Sequence, residues 1–214
     1  MKLIIGNKSY SSWSLRPWLA LSHAGIPFEE RVIPLDQPTT GAEIAAVSGA
    51  GRVPVLVDGS LTVWDSLAIC EYLAERFPEK ALWPRDAAAR AVARAVSAEM
   101  HSGFTALRSA CPFKIRETIA CAPSPEVQAD VGRITAIWED CRRRFGGGGP
   151  FLFGVFSIAD AYYAPVVSRF RTYGISLGGA AAAWADAVWS LPAYERWRQG
   201  AAAESYSMAR YGKP

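Results

Sequence analysis

Cysteine, histidine and net charge are all scarce in this chain, and each scarcity removes a class of function. Of 214 residues, four are cysteines (Cys70, Cys111, Cys121 and Cys141) and two are histidines (His23 and His101). No two cysteines share a CxxC spacing, and neither histidine falls at a metal-ligand interval from one. Neither a structural zinc nor a disulfide framework is therefore expected. The thiols read as incidental to a reduced, cytoplasmic protein that holds no metal. Lysine and arginine number 23 against 20 acidic residues, and a net charge of +3 makes no bulk electrostatic case for nucleic acid or a membrane surface. The run Arg142-Arg143-Arg144 reads as the solvated end of a helix, favoured beside its C-terminal dipole. No apolar run reaches the roughly 18 residues that a membrane-spanning helix needs. The opening Met1-Lys2-Leu3-Ile4-Ile5-Gly6 reads as a short strand rather than the apolar core of a signal peptide.

What is present is core material. Half of the residues are hydrophobic and a fifth are charged, the composition of one or two globular domains. After the first strand, the polar turn Asn7 to Ser14 leads into a helix ended by Gly25 and Pro27, with Ser14 as N-cap and Pro17 in the first turn. Phe28–Ile33 alternates as a second strand. A broken connection with a helical patch over Ala42–Val47 follows, then a hairpin of Val53–Val57 and Leu61–Val63 about Asp58-Gly59. Asp65 or Ser66 caps a further helix closed by Pro78. The order β-α-β-α-β-β-α over residues 1–78 implies a small mixed sheet with helices.

Beyond a linker at 79–86 the chain reads as helical throughout. Ala87–Leu107 is alanine- and arginine-rich and predicts one long helix. On that helix His101, Phe104 and Arg108 would share a face. Glu126–Phe145 predicts a second, stopped by four glycines and Pro150. That glycine run follows a helix and carries no phosphate-loop lysine, so it reads as a flexible loop. Ser157-Ile158-Ala159-Asp160 is a capping box for the next helix. Two more helical patches lie near Ala180–Trp189 and Ala193–Ala203, and Ser205–Pro214 reads as a loosely held tail.

Val53-Pro54 stands out locally. A proline opening a strand is a common structural device, and a cis Val53–Pro54 bond is one way to hold the backbone before it clear of the sheet. The four serines Ser9, Ser11, Ser12 and Ser14 taken alone read as a hydrophilic loop with one cap. Asp65-Ser66 alone reads as a cap.

Taken together, Ser11-Ser12-Trp13-Ser14-Leu15-Arg16, Val53-Pro54-Val55-Leu56, Asp65-Ser66-Leu67-Ala68-Ile69 with Glu71-Tyr72-Leu73, and Phe156-Ser157-Ile158-Ala159-Asp160-Ala161 form an ordered set. The chain resembles the cytosolic glutathione transferases over nearly its whole length, and a zeta-like bacterial branch of them most. The resemblance implies an N-terminal thioredoxin-like domain (1–78) that binds glutathione and an all-helical bundle domain (87–214) lining an electrophile pocket. It also implies a homodimer.

By the same resemblance, Ser11 would donate its hydroxyl to the glutathione thiolate, with Ser12 the nearest substitute and Tyr10 a further candidate. A free thiol of pKa about 8.5 is only a few per cent ionised at neutral pH, and a hydroxyl at a helix N-terminus favours the anion. Val53, held by Pro54, would exchange backbone hydrogen bonds with the cysteinyl unit. Asp65 and Ser66 would meet the γ-glutamyl end, the carboxylate at the helix N-terminus and the ammonium at Asp65. Arg52 is a candidate for the glycyl carboxylate, and Arg16 stands near the helix start as a supporting cation or ion-pair partner. Trp13, His101, Phe104 and Arg108 would line the electrophile pocket. The zeta pattern reads SSCSWR, and this chain has Trp13 where that class has cysteine. Conjugation of hydrophobic electrophiles is therefore expected first. Zeta-like isomerisation or dehalogenation of small acids, or a non-catalytic interaction module, are the alternatives.

Overall fold

In the computed structural model, which describes residues 1–208, alternate residues of strand β1 (Lys2–Ile5) enter two different cores. Leu3 and Ile5 join the main cluster, whereas Ile4 packs with Ile33, Ile44 and Val55 on the opposite face. This is the two-residue period of a strand covered on both sides. Helices α1 (Ser12–Ala24) and α3 (Ser66–Arg76) cover the first face, and α2 (Thr40–Ala45) covers the second through Ile44. The sheet runs β2-β1-β3-β4, with β2 (Glu29–Val32) parallel to β1 and β3 (Val55–Asp58) and β4 (Leu61–Val63) antiparallel in turn. Gly59, at φ 61°, supplies the left-handed residue of the β3–β4 turn.

Helix α1 departs from expectation in its start. The cap is Ser11, not Ser14: the Ser11 hydroxyl accepts from Ser14 N–H at 3.3 Å. In a run with several serines, sequence cannot single out the one whose backbone leaves the helix. Pro17 consequently lies in the second turn, inside the helix, where its missing N–H forfeits one intrahelical bond. At the far end Gly25 takes the left-handed cap conformation, as the Gly-then-Pro order predicts.

The second half holds α4 (Ala87–Ser102), α5 (Thr105–Ala110), α6 (Pro125–Phe145), α7 (Ile158–Thr172), α8 (Gly179–Trp189) and α9 (Pro192–Ala203). The single helix expected over Ala87–Leu107 is two. At Gly103 a Cβ would sit 2.8 Å from the Glu99 carbonyl oxygen, and Phe104 follows in the left-handed region at φ 60°. High alanine propensity carries a sequence reading past this break.

Two further expectations shift after α6. Arg143 and Arg144 are exposed as expected, but Arg142 is part-buried: it turns back to donate to the carbonyls of Gly146, Gly149 and Phe151, which pins the glycine loop. Isolated β-bridges join Phe151 to Gly154 and Phe153 to Val155 where only helix and loop are expected.

Helix α7 is the axle of the molecule, buried along nearly all its length. It packs on α1, α4 and α8, and one apolar core runs from Leu3 through to Trp197. Its capping box forms as the sequence predicts. Asp160 Oδ2 accepts from the Ser157 N–H and hydroxyl at 2.8 and 3.0 Å, and Oδ1 accepts from Leu152 N–H at 2.9 Å and Trp184 Nε1–H at 2.8 Å. Of the expected tail, Met208 is buried, and residues 209–214 lie outside the described residues.

Candidate active site

The start of α3 is where sequence and packing first meet chemistry. Asp65 caps that helix, one carboxylate oxygen accepting from Leu67 N–H at 2.9 Å and Ala68 N–H at 3.5 Å. Its other oxygen lies 3.1 Å from His101 Nε2, near the C-terminus of α4. Asp65 thus serves the helix and the neighbouring half of the molecule at once. Beside it the Ser66 hydroxyl lies 3.1 Å from the Tyr162 hydroxyl on α7.

These groups border a cavity of about 420 Å³ lined by Trp13, Ala50, Arg52, Val53, Pro54, Trp64, Asp65, Ser66 and His101. The Val53–Pro54 peptide is cis, as is Trp64–Asp65. Pro54 precedes β3, and Val53 stands outside its ladder. No backbone hydrogen bond to another described residue engages the Val53 N–H or C=O. The cavity therefore offers a free peptide edge, an exposed carboxylate and the N-terminus of an eleven-residue helix within one space. Such an edge pairs with an extended peptide, and a helix start with an anion. A second cavity, about 440 Å³, lies along the linker among Pro78, Trp83, Pro84 and Arg90 and holds none of the residues singled out above.

The pocket quartet divides. Trp13 and His101 line the cavity, their rings edge-to-face at 5.2 Å. Phe104 and Arg108 do not line it, and with the helix broken at Gly103 the common face expected for His101, Phe104 and Arg108 does not exist. Phe104 is buried in the core. Arg108 lies 5.0 Å over the Trp13 ring and donates to the carbonyls of Met100 and Gly103 at the end of α4. Burial holds the His101 imidazole below its ordinary pKa. The Arg16 and Arg108 charges act in the same sense, and Asp65 opposes them.

Ser11 and Ser12 lie beside the cavity in sequence but are not among its lining residues. Ser11 Oγ donates to Ser14 Oγ at 2.8 Å, and Ser14 Oγ accepts from Gly6 N–H at 3.1 Å, tying the turn to β1. Ser12 Oγ accepts from Arg169 at 3.4 Å. Tyr10 is buried. Sequence reasoning missed Trp64, a half-exposed indole at the cavity rim, and Tyr162, which fixes Ser66. Trp64 carried a signal, an aromatic directly before a helix cap. Tyr162 carried none, because its contact is with a residue 96 positions away.

A small sheet of four strands flanked by helices, joined to a helical half with a polar cavity between them, defines a thioredoxin-like domain carrying a helical domain. Two family models match: the glutathione S-transferase N-terminal domain over residues 10–76, and the glutathione S-transferase C-terminal domain over 124–202. The chain belongs to the glutathione transferase family.

A probable maleylacetoacetate isomerase of Caenorhabditis elegans is 33% identical over 48% of this chain and 47% of its own length. A stringent starvation protein A homologue of Pasteurella multocida is 28% identical over 76% of this chain and 72% of its own. Glutathione S-transferase 1 of Dianthus caryophyllus is 38% identical over 42% of each. The matched region thus spans about half or less of two of these relatives and nearly three quarters of the third.

Among solved structures, a bacterial zeta-class maleyl pyruvate isomerase superposes with a TM-score of 0.74 at 24% identity, covering 96% of this chain and 100% of that one. A Burkholderia glutathione transferase homologue solved with bound glutathione gives 0.70 at 24%, covering 95% and 98%. At these identities the likeness shows the fold. A maleylacetoacetate isomerase thus stands among the sequence relatives and a zeta-class isomerase among the structural neighbours. Among the described residues no cluster of three or more histidine, cysteine or acidic side chains could hold a metal, and no helix is long and apolar enough to cross a membrane.

Proposed function

We propose that this chain binds glutathione in the 420 Å³ cavity and ionises its thiol for attack on a hydrophobic electrophile. One observation carries the reading: three segments spread over some fifty residues of sequence bring an unpaired Val53 backbone, the capped start of α3 and the start of α1 to the same space. The 1–78 unit holds the tripeptide, its cysteinyl backbone along Val53, its γ-glutamyl ammonium on Asp65 and its carboxylate at the N-terminus by Ser66. Arg52 takes the glycyl carboxylate. The 87–214 unit supplies the electrophile side through His101, with Arg108 over the Trp13 ring.

In this reading Ser11 is the thiolate donor. Its proton, now directed at Ser14 Oγ, turns to the sulfur, and a neutral hydrogen bond is exchanged for a stronger charge-assisted one. Lowering a thiol by about two pKa units favours the anion by about 2.7 kcal/mol. Ser11→Ala should then depress conjugation of a chlorodinitrobenzene-type substrate while folding is retained, and undiminished turnover would remove Ser11 from this role. Trp13 supports transfer over zeta-like isomerisation, because an indole offers neither nucleophile nor acid where that class has a thiol. The working state is a cytoplasmic homodimer.

A second reading, a non-catalytic module of the same fold, is supported by the Ser11 hydroxyl being turned inward. Glutathione binding without turnover on any electrophile tested would favour it.

A further inference from the structure

Arginine is seldom buried without a carboxylate or carbonyl to answer it. Three arginines are buried or half-buried where the two halves of this molecule meet, and two of them are answered. Arg108 donates to the carbonyls that end α4, and Arg169 donates to the Cys111 carbonyl at 2.9 Å and to Ser12 Oγ at 3.4 Å. Arg16 has nothing. Its Nε, Nη1 and Nη2 atoms are all buried, and none has a hydrogen-bond partner among the described residues. The guanidinium is held instead between two ring faces, 4.3 Å from the Trp13 centroid and 4.5 Å from that of Tyr162. The rings attract a cation but leave its five N–H donors unmet.

Both rings lead to the cavity. Trp13 is in its wall, and the Tyr162 hydroxyl touches Ser66, another wall residue, at 3.1 Å. The groups electrostatically coupled to Arg16 are Tyr162, Tyr163 and Arg169 from α7, Arg108 from α5, Cys70 from α3 and His101 from α4. No carboxylate among the described residues is hydrogen-bonded to it. Burial, and the like charges of Arg108 and Arg169, pull the guanidinium down to about 9, so it remains a cation at neutral pH. An uncompensated buried charge is costly.

We infer that Arg16 is a positioning residue whose unpaired charge, one side-chain layer beneath the cavity wall, holds a ligand seated against Trp13 and Ser66 in its anionic form. The assignment rests on the glutathione reading, in which the anion is the thiolate at the start of α1. Arg16 does not touch the sulfur; it acts through the Trp13 and Tyr162 layer.

The test is a pH titration of the thiolate ultraviolet absorbance of glutathione bound to the wild type, Arg16→Met and Arg16→Lys, with calorimetric affinity for S-methylglutathione alongside. Arg16→Met should bind S-methylglutathione within about twofold of wild type. It should ionise the bound glutathione thiol about one pH unit higher, leaving roughly tenfold less thiolate at a fixed lower pH. Arg16→Lys should stay near wild type. The methionine variant should also melt higher, since a desolvated charge has been removed. A merely structural arginine would melt lower on replacement and leave the ionisation unmoved, and that result overturns the assignment. If S-methylglutathione fails to bind the wild type, the glutathione reading falls and this assignment with it; normal binding with unmoved ionisation defeats the assignment alone.

Discussion

Two buried charges, Asp160 at the start of α7 and Arg16 in the first turns of α1, are treated in opposite ways. Asp160 receives four hydrogen bonds, from Leu152, Trp184 and two groups of Ser157. Arg16 donates none to any described residue. Both helices begin with a serine cap and both pack on the shared core, so the local frame is alike and only the pairing differs. A charge met from every side stabilises the fold it sits in. A charge left unmet beside a cavity makes sense when a ligand brings its partner.

The largest effect should come from breaking the satisfied charge. Asp160→Ala leaves four donors buried without an acceptor, at about 1 kcal/mol or more each. Chemical denaturation should show a loss of about 4 kcal/mol on that count. A loss under about 1 kcal/mol would mean that solvent reaches the start of α7. Next comes Ser11→Ala, where full loss of thiolate stabilisation corresponds to about 2.7 kcal/mol, roughly a hundredfold in kcat/KM with an aromatic halide at neutral pH. Because Ser11 also caps α1, stability should fall by about 1 kcal/mol as well. An equal activity loss in Ser11→Gly, which keeps most of the cap, would separate the two roles.

Asp65 sharpens the contrast, since it is half satisfied by its helix and half turned to His101. Asp65→Asn preserves an N-cap but withdraws the charge that raises the His101 pKa against burial. By NMR the wild-type His101 should titrate below the ordinary histidine value, and the variant lower still. The native state then binds fewer protons than the unfolded chain between these two values. Stability consequently rises with pH through that window and is lost on acidification. His101→Gln should flatten part of that slope, and an unchanged slope would assign it to His23, whose pKa is also lowered by burial.

Much of this was legible in the chain itself, where local chemistry dictates local geometry. Gly25 before Pro27, Asp58-Gly59, the Ser157–Asp160 box and Pro54 at the mouth of β3 each announce a backbone event within a few residues. What was hidden depends on partners distant in sequence. Nothing near Arg16 tells that α7 will seal it, and nothing near Asp65 points to a histidine 36 positions on. The serine turn offered several equivalent caps, and the alanine-rich stretch hid the break at Gly103. The fold and the cavity's Val53, Pro54, Asp65 and Ser66 were therefore readable. Which serine caps α1, and which cation lies beneath the cavity, were not.

What matters most is whether the cavity between Val53 and Asp65 takes glutathione. Isothermal titration of reduced glutathione into the purified chain at neutral pH should give one saturable site per chain, weakened in Asp65→Ala. Absence of any saturable heat from the folded wild type would contradict it.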